Sequence, residues 1–327
     1  MVFTGVKMEY RKLISFGKSS FVVSLPKSWI KQNKLKKGDL IHFEDEGNNL
    51  VIKKKEEESL IPVEKERTIN ITNKDIEQIK REVYSSYILN FRTIVLKGDD
   101  VRTNISKLQQ IFHDLIALEI MEVTSNSIVA KDFLDMDKVS VKELISKMDI
   151  ITRAMFKECC TEFTEKNYFN INDRDKDVNR LFFLLYRTIY YNLDNPFKAI
   201  KNLNHNPIQL FNFYLVGYYL EGIADEVRRT ARFAHKLKIS EKEKSSLRNL
   251  LERLNDYYLE TIKSVNSQNV EKALELSSKR HQFHLEIDKI EKDNIKIENY
   301  QLLVARIRRL VSYTHNLGRL VYQGFNY

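Results

Sequence analysis

Two carboxylates one helical turn apart are the residues best placed to do chemistry: Glu221 and Asp225, in Leu220-Glu221-Gly222-Ile223-Ala224-Asp225-Glu226-Val227. Acids at i and i+4 share a helix face and repel by about 0.2–0.5 kcal/mol unless a cation lies beside them. Two kinds of cation would serve. Arg228 and Arg229, three and four residues past Asp225, can close ordinary salt bridges. A metal ion held by hard carboxylate oxygens is the other. Of the seven histidines, His281 and His284 share a helix face at a spacing of three, and no third ligand accompanies them. No Gly-x-Ser-x-Gly, Walker loop or His-Glu-x-x-His occurs, and no nucleophile has an obvious base. The chain is expected not to be an enzyme.

The elements that hold these residues have to come from 327 residues, enough for two or three domains. A hydrophobic content of 43% can build real cores, and only 9 glycines and 4 prolines favour long helices. The two cysteines are neighbours, Cys159 and Cys160, so no disulfide framework exists, which suits a reducing cytosol. The longest apolar stretch, Leu210 to Leu220, is too short to span a bilayer, and no segment resembles a signal peptide. A cytoplasmic protein is expected. Its net charge of +9 is unevenly spread. Residues 1–37 hold nine Lys or Arg against a single acid, Glu9, and so carry +8 of it. A basic head on a near-neutral body points to a polyanion partner.

The pattern predicts a mostly α chain with a small β head. Strands are expected over Arg11–Phe16 and Phe21–Leu25, a short helix over Lys27–Gln32 behind Pro26, and strands over Leu40–Glu44 and Leu50–Lys53. Four short strands make a poor independent core, and a partner chain would complete it. Trp29, the only tryptophan, is expected in that core. Residues 56–145 read as a linker and a small α/β module: strands at Thr68–Ile71, Thr93–Leu96, Ala117–Val123 and Ser127–Lys131, and helices over Lys74–Leu89 and Ile105–Phe112. Thr72 and Asn73 are the N-cap candidates of the first. This module is expected to be a spacer or dimerisation element. The rest is helical: Met148–Lys166, Asp173–Leu193, Ile208–Lys238, Glu241–Asn266, Asn269–Asp293 and Glu298–Tyr322. Ser240 with Glu243 forms a capping box. Six helices in two groups of three suggest an internal duplication, bundles at 146–239 and 240–327.

Gly17-Lys18-Ser19-Ser20-Phe21-Val22-Val23-Ser24-Leu25-Pro26-Lys27-Ser28-Trp29, followed by Leu35-Lys36-Lys37-Gly38-Asp39, resembles the AbrB/MazE/SpoVT swapped-hairpin family. The resemblance covers residues 1–55. It implies two chains interlaced into one β-barrel, a homodimer that grips DNA through basic strand and loop residues. Arg11, Lys12, Lys18 and Lys27 are the positions it marks for DNA. Lysines act as point charges on phosphates, while Arg11 has a guanidinium suited to bidentate base reading.

Leu-Glu-Gly-Ile-Ala-Asp resembles the metal-site helix of the PhoU family, built from paired three-helix bundles. Asp173-Arg174-Asp175-Lys176-Asp177-Val178 resembles its facing helix. The resemblance implies a divalent or ferric ion on Glu221, Asp225 and Asp177, with Asp173 second to Asp177. In the second repeat the matching acids are replaced by Ala305 and Arg309, so that metal site is lost. Arg306, Arg308, Arg309 and Arg319 form a basic cluster there, able to bind an anion or an acidic partner, or to pair with Glu286, Asp288 or Glu291. As a whole the chain resembles archaeal phosphate-uptake regulators. The expected function is DNA-binding transcriptional regulation of phosphate uptake, with the helical body as sensor or partner-binding domain. The alternative is an accessory protein that docks on a phosphate transporter ATPase or a signalling kinase. A third, an antitoxin, fits less well, because antitoxin tails are short and fold on their toxin.

Overall fold

A computed structural model describes residues 9–18, 20–45, 50–54, 65–194, 205–294 and 296–324. The protein is mostly helical, at 66%, with a small N-terminal β region. Its contacts divide it into two units, residues 1–63 and 64–327.

In the first unit, β1 (Ile14–Phe16) and β2 (Ser20–Val22) form one antiparallel hairpin, and β3 (Ile41–Asp45) and β4 (Leu50–Lys54) form another. Between them lies α1 (Lys27–Gln32), which starts at Pro26. Gly17 turns the first hairpin at φ +72°, a backbone region that glycine enters without steric cost. Within one chain the head is these two separate two-stranded sheets, not a closed barrel. Trp29 is half-buried rather than a core residue. The first strand pair is also shorter than its alternation suggests.

The second unit opens with a four-stranded sheet of β5 (Glu66–Asn70), β6 (Thr93–Lys97), β7 (Leu118–Val123) and β8 (Ser127–Asp132), in the order β5-β6-β8-β7. β5 and β6 run parallel, and the other pairings are antiparallel. The parallel pair requires a crossover, supplied by α2 (Ile76–Ile88). Its N-cap is Asp75, which accepts from the Gln78 amide at 2.7 Å, and not Thr72 or Asn73. α3 (Val101–His113) follows β6 and packs on β7 and β8. Ile69, Val83, Ile94, Leu108, Phe112 and Ile128 anchor the core between sheet and helices.

The helical part comprises α4 (Val141–Cys160), the short α5 (Glu162–Glu165), α6 (Tyr168–Asp194), α7 (Pro207–Lys236), α8 (Glu241–Ser267), α9 (Val270–Ser277), α10 (Lys279–Asp293) and α11 (Tyr300–Tyr322). α4 begins at Ser140, whose hydroxyl accepts from the Glu143 amide, so the expected domain boundary at 145/146 falls inside a helix. The helix expected over Asn269–Asp293 is broken at Ser278, whose Oγ donates to the Glu275 carbonyl at 2.7 Å and competes with the helical ladder. α4, α6 and α7 pack on one another, and α8, α9 and α10 pack around α11. α11 crosses α7, and α4 touches α8, so both groups share one continuous core. Cys159 and Cys160 are free and buried in it, and burial pushes the Cys160 thiol up to about 12.

One buried charge joins the sheet to the helices. Arg187 of α6 has no exposed surface. Its Nη2 donates to Asp132 Oδ2 at 2.6 Å and its Nε to Asn90 Oδ1 at 2.9 Å. Its guanidinium lies 4.4 Å from the centre of the Tyr87 ring. Arg92 takes the same Asp132 oxygen at 2.8 Å and donates to the Leu134 carbonyl. Removing one partner of a buried pair leaves a charge without compensation. Asp132→Ala is therefore expected to cost about 3–5 kcal/mol in urea denaturation, while an exposed pair such as Lys138–Asp135 should contribute less than about 1 kcal/mol.

Candidate functional site

The Glu221–Asp225 face lies where α6, α7 and α11 meet. Buried Leu220, Ile223, Ala224 and Val227 turn α7 into the core, which leaves Glu221 and Asp225 half-buried along the helix junction. Asp225 is held by both following arginines, Arg228 at 2.6 Å and Arg229 at 2.7 Å. Arg228 also reaches across to Asp175 of α6 at 3.0 Å, and Asn179 donates to the same Asp175 oxygen at 3.1 Å. The third acid of the cluster is thus Asp175. Asp177 and Asp173 point to solvent, where Asp177 sits 3.9 Å from Arg180 and Asp173 takes Lys176 at 2.8 Å. The reason is phase. Ile171, Asp175, Val178 and Leu185 follow the 3.6-residue period on the buried face of α6, and Asp177 lies roughly 200° further round.

A metal ion does not fit this arrangement. Arginine guanidiniums already occupy both Asp225 oxygens and reach Asp175. Among the described residues, no group of three or more His, Cys, Asp or Glu is placed to hold a metal. The cations that the spacing calls for are the two arginines.

Glu226, next to Asp225 and nearly fully buried, ties α7 to α11. Its Oε1 lies 3.0 Å from Arg229, 3.2 Å from Arg309 and 3.6 Å from Arg306. Its Oε2 has no hydrogen-bond partner among the described residues. Arg308 faces the other way and pairs with Asp288 and Glu291, both at 2.6 Å. Arg306, Arg308 and Arg309 are therefore split between two acidic anchors. Sequence reasoning left Glu226 aside although it stands inside the same motif. Its signal was its position, in phase with buried Ile223 and Thr230. Gly222 is required by the same junction: a Cβ there would come within 2.9 Å of the Tyr313 ring.

Glu221 itself makes no hydrogen bond or ion pair among the described residues. Burial, then the charges of Asp225 and Asp175, push its carboxyl up to about 7, against the opposing pull of Arg229 and Arg228. The unfolded group titrates near 4.3. Because the fold favours the protonated form, its contribution is complete below about pH 4.3. It is lost as pH rises to about 7. Glu221→Gln cannot ionise and should abolish that loss. Its urea midpoint should match the parent at pH 4 and exceed it at pH 8, with the difference growing by at most about 1.4 kcal/mol per pH unit.

The basic head offers a second surface. Arg11, Lys12, Lys18 and Lys27 are all exposed. Arg11 pairs with Glu9. Lys18 lies in the turn beside Gly17, and Lys27 opens α1. The strands between them carry unburied apolar residues. Ile14, Phe16 and Val22 share one face of the first hairpin, and Phe16 is 71% exposed. Ile41, Phe43, Leu50 and Ile52 share one face of the second. Among the described residues, none of this unit is buried.

Residues 14–59 match the family model described as antidote-toxin recognition MazE, bacterial antitoxin. No curated protein matches the chain, and no solved structure does. Among the described residues, no helix is long and apolar enough to cross a membrane. The N-terminal head is therefore similar to MazE/AbrB-type domains, and that similarity reaches no further than residue 59.

Proposed function

We propose that this chain is a dimeric DNA-binding transcriptional regulator working in the cytoplasm. The observation that carries this reading is a head in which exposed cations flank apolar strand faces that its own unit leaves uncovered. Two-stranded hairpins are marginal in water. Each large apolar side chain gains about 1.5–3 kcal/mol when covered. A second copy interlacing as a swapped-hairpin barrel would supply that cover and would bring two sets of Arg11, Lys12, Lys18 and Lys27 to one side. The MazE-type match supports this arrangement. The helical body would serve as sensor or partner-binding domain. Regulation of phosphate uptake is the finer proposal, and it rests on the likeness of the Leu-Glu-Gly-Ile-Ala-Asp helix to PhoU-type bundles.

A toxin-neutralising role is the second reading, favoured by the family described for residues 14–59. It is the weaker one, because residues 64–327 carry their own extensive core instead of a short tail to be folded by a toxin.

Two measurements test the proposal. Phe16→Asp is expected to convert a dimer to monomers in sedimentation, since the apolar strand face is its interface. A monomeric parent chain would remove that interface. Fluorescence anisotropy on operator-type DNA at two salt concentrations should show binding that weakens by about 10³–10⁵ between 50 and 200 mM, as six to ten phosphate contacts require. Lys18→Glu should weaken it across all sequences and reduce the slope of log K against log salt by about 2, one contact from each head. Binding that ignores salt and Lys18 would move the function to the body, docked on a transporter ATPase or a signalling protein.

A further inference from the structure

The seam between α10 and α11 changes character along its length. The two helices pack together and run antiparallel, in a register given by the pairing of Arg308 with Asp288 and Glu291 and of Ser277 with Tyr322. Near one end Arg308 pairs with Glu291 and Asp288, both at 2.6 Å. At the other, Ser277 just ahead of α10 meets the Tyr322 hydroxyl at 3.3 Å. That register sets His284 opposite His315 and Arg280 opposite Arg319. The first rung is acid against base, while the two middle rungs are base against base. The two middle rungs are four residues apart on each helix, hence roughly 6 Å apart along the axes, about the width of one tetrahedral oxyanion.

Among the described residues no acid pairs with the two middle rungs, and the nearest seam acids, Asp288 and Glu291, are taken by Arg308. Among the described residues, Arg280 forms no ion pair. Arg319 has only a neutral group beside it, the Gln323 amide, whose oxygen, once the amide is turned to face the guanidinium, accepts from Nε and Nη2 at 3.0 Å. His315 Nδ1 is buried and has no hydrogen-bond partner. Burial lowers the His315 pKa, and Arg280, Arg319 and His284 lower it further. His284 is lowered by burial, Arg280, Arg308 and His281, and only Asp288 opposes. From α8, Tyr257 lies close enough to feel Arg280 and Tyr322. Like charges across a packed seam oppose the packing, and an anion between them reverses the sign.

We infer that the Arg280–His284/His315–Arg319 end of this seam is a binding site for a phosphate-type dianion. Two guanidinium forks can each take a pair of oxygens, the free imidazole nitrogen of His315 supplies a further donor, and the Ser277 and Tyr322 hydroxyls close the end. The dianion is either free inorganic phosphate or the phosphoryl group of a nucleoside monophosphate. The site is separate from the Glu221 cluster and stands independently of DNA binding by the head.

The test is titration of the full chain with inorganic phosphate and, separately, with AMP, by isothermal calorimetry and by NMR of the histidine ring protons. Saturable binding is expected, with the His284 and His315 pKa values raised on saturation. Arg280→Gln and Arg319→Gln, both at exposed positions, should each weaken it at least tenfold while leaving the melting temperature within a few degrees. Binding of phosphate identifies the free ion as the ligand, and binding of AMP alone identifies the phosphoryl ester. Absence of saturable binding by either overturns the inference. So does binding that both variants retain, or binding that leaves the two histidine resonances unmoved.

Discussion

A guanidinium without access to water is the constraint on which the rest of the body depends. Arg187 lies inside the protein with its charge intact, and its neighbours have to be where they are for that to be tolerable. Asp132 ends β8 beneath it, Asn90 leaves α2 at positive φ to reach it, and the Tyr87 ring covers its face. Desolvating such a group costs several kcal/mol, and only this set of partners recovers it. The sheet module therefore cannot be a loosely tethered spacer. Its strand end, its first helix and α6 are fixed by one side chain.

Further along α6 and α7 the same device recurs in a wetter setting. Asp175, Arg228, Asp225, Arg229, Glu226 and Arg309 alternate in sign from α6 across α7 to α11. Each arginine except the last serves two acids. Such a chain of charges specifies which helix faces meet, a task that interchangeable apolar contacts perform poorly. Glu221 stands at its edge with no cation of its own, and burial, with Asp225 and Asp175 beside it, drives it toward neutrality; burial pushes Asp175 in the same direction, against the pull of Arg228.

What the sequence made legible was local. Pro26 marked the start of α1, and Ser240 with Glu243 closed the capping box that begins α8, because both signals act within one turn. The two strands flanking Thr124–Asn126 also lie where alternation put them, within a residue or two. Choices between neighbours that require the other helix were not legible in that way. Asp175 and Asp177 have the same chemistry, and only the phase of the α6 apolar stripe separates them. The cap of α2 went to Asp75 over two other good candidates, a matter of where the chain enters from β5. Arg187 reads as an ordinary helix residue until the sheet is in place. The barrel implied for the head involves a second chain, which no single-chain pattern can supply.

The missing side chain at Gly222 gives the helical body a fulcrum. With hydrogen in place of a methyl group, α7 lets the Tyr313 ring of α11 lie flat against its backbone. Tyr218 and Tyr219 brace the ring at 6.5 and 6.3 Å. Any tilt between α7 and α11 pivots there. The bonds from Arg306 and Arg309 to Glu226, one helical turn away, lie on the short arm of that lever, while the α10–α11 seam rides on the same α11 beam. A small change in how that seam is charged would thus be geared, through a rigid helix, into strain on Glu226, a carboxylate that ties the two helical groups together.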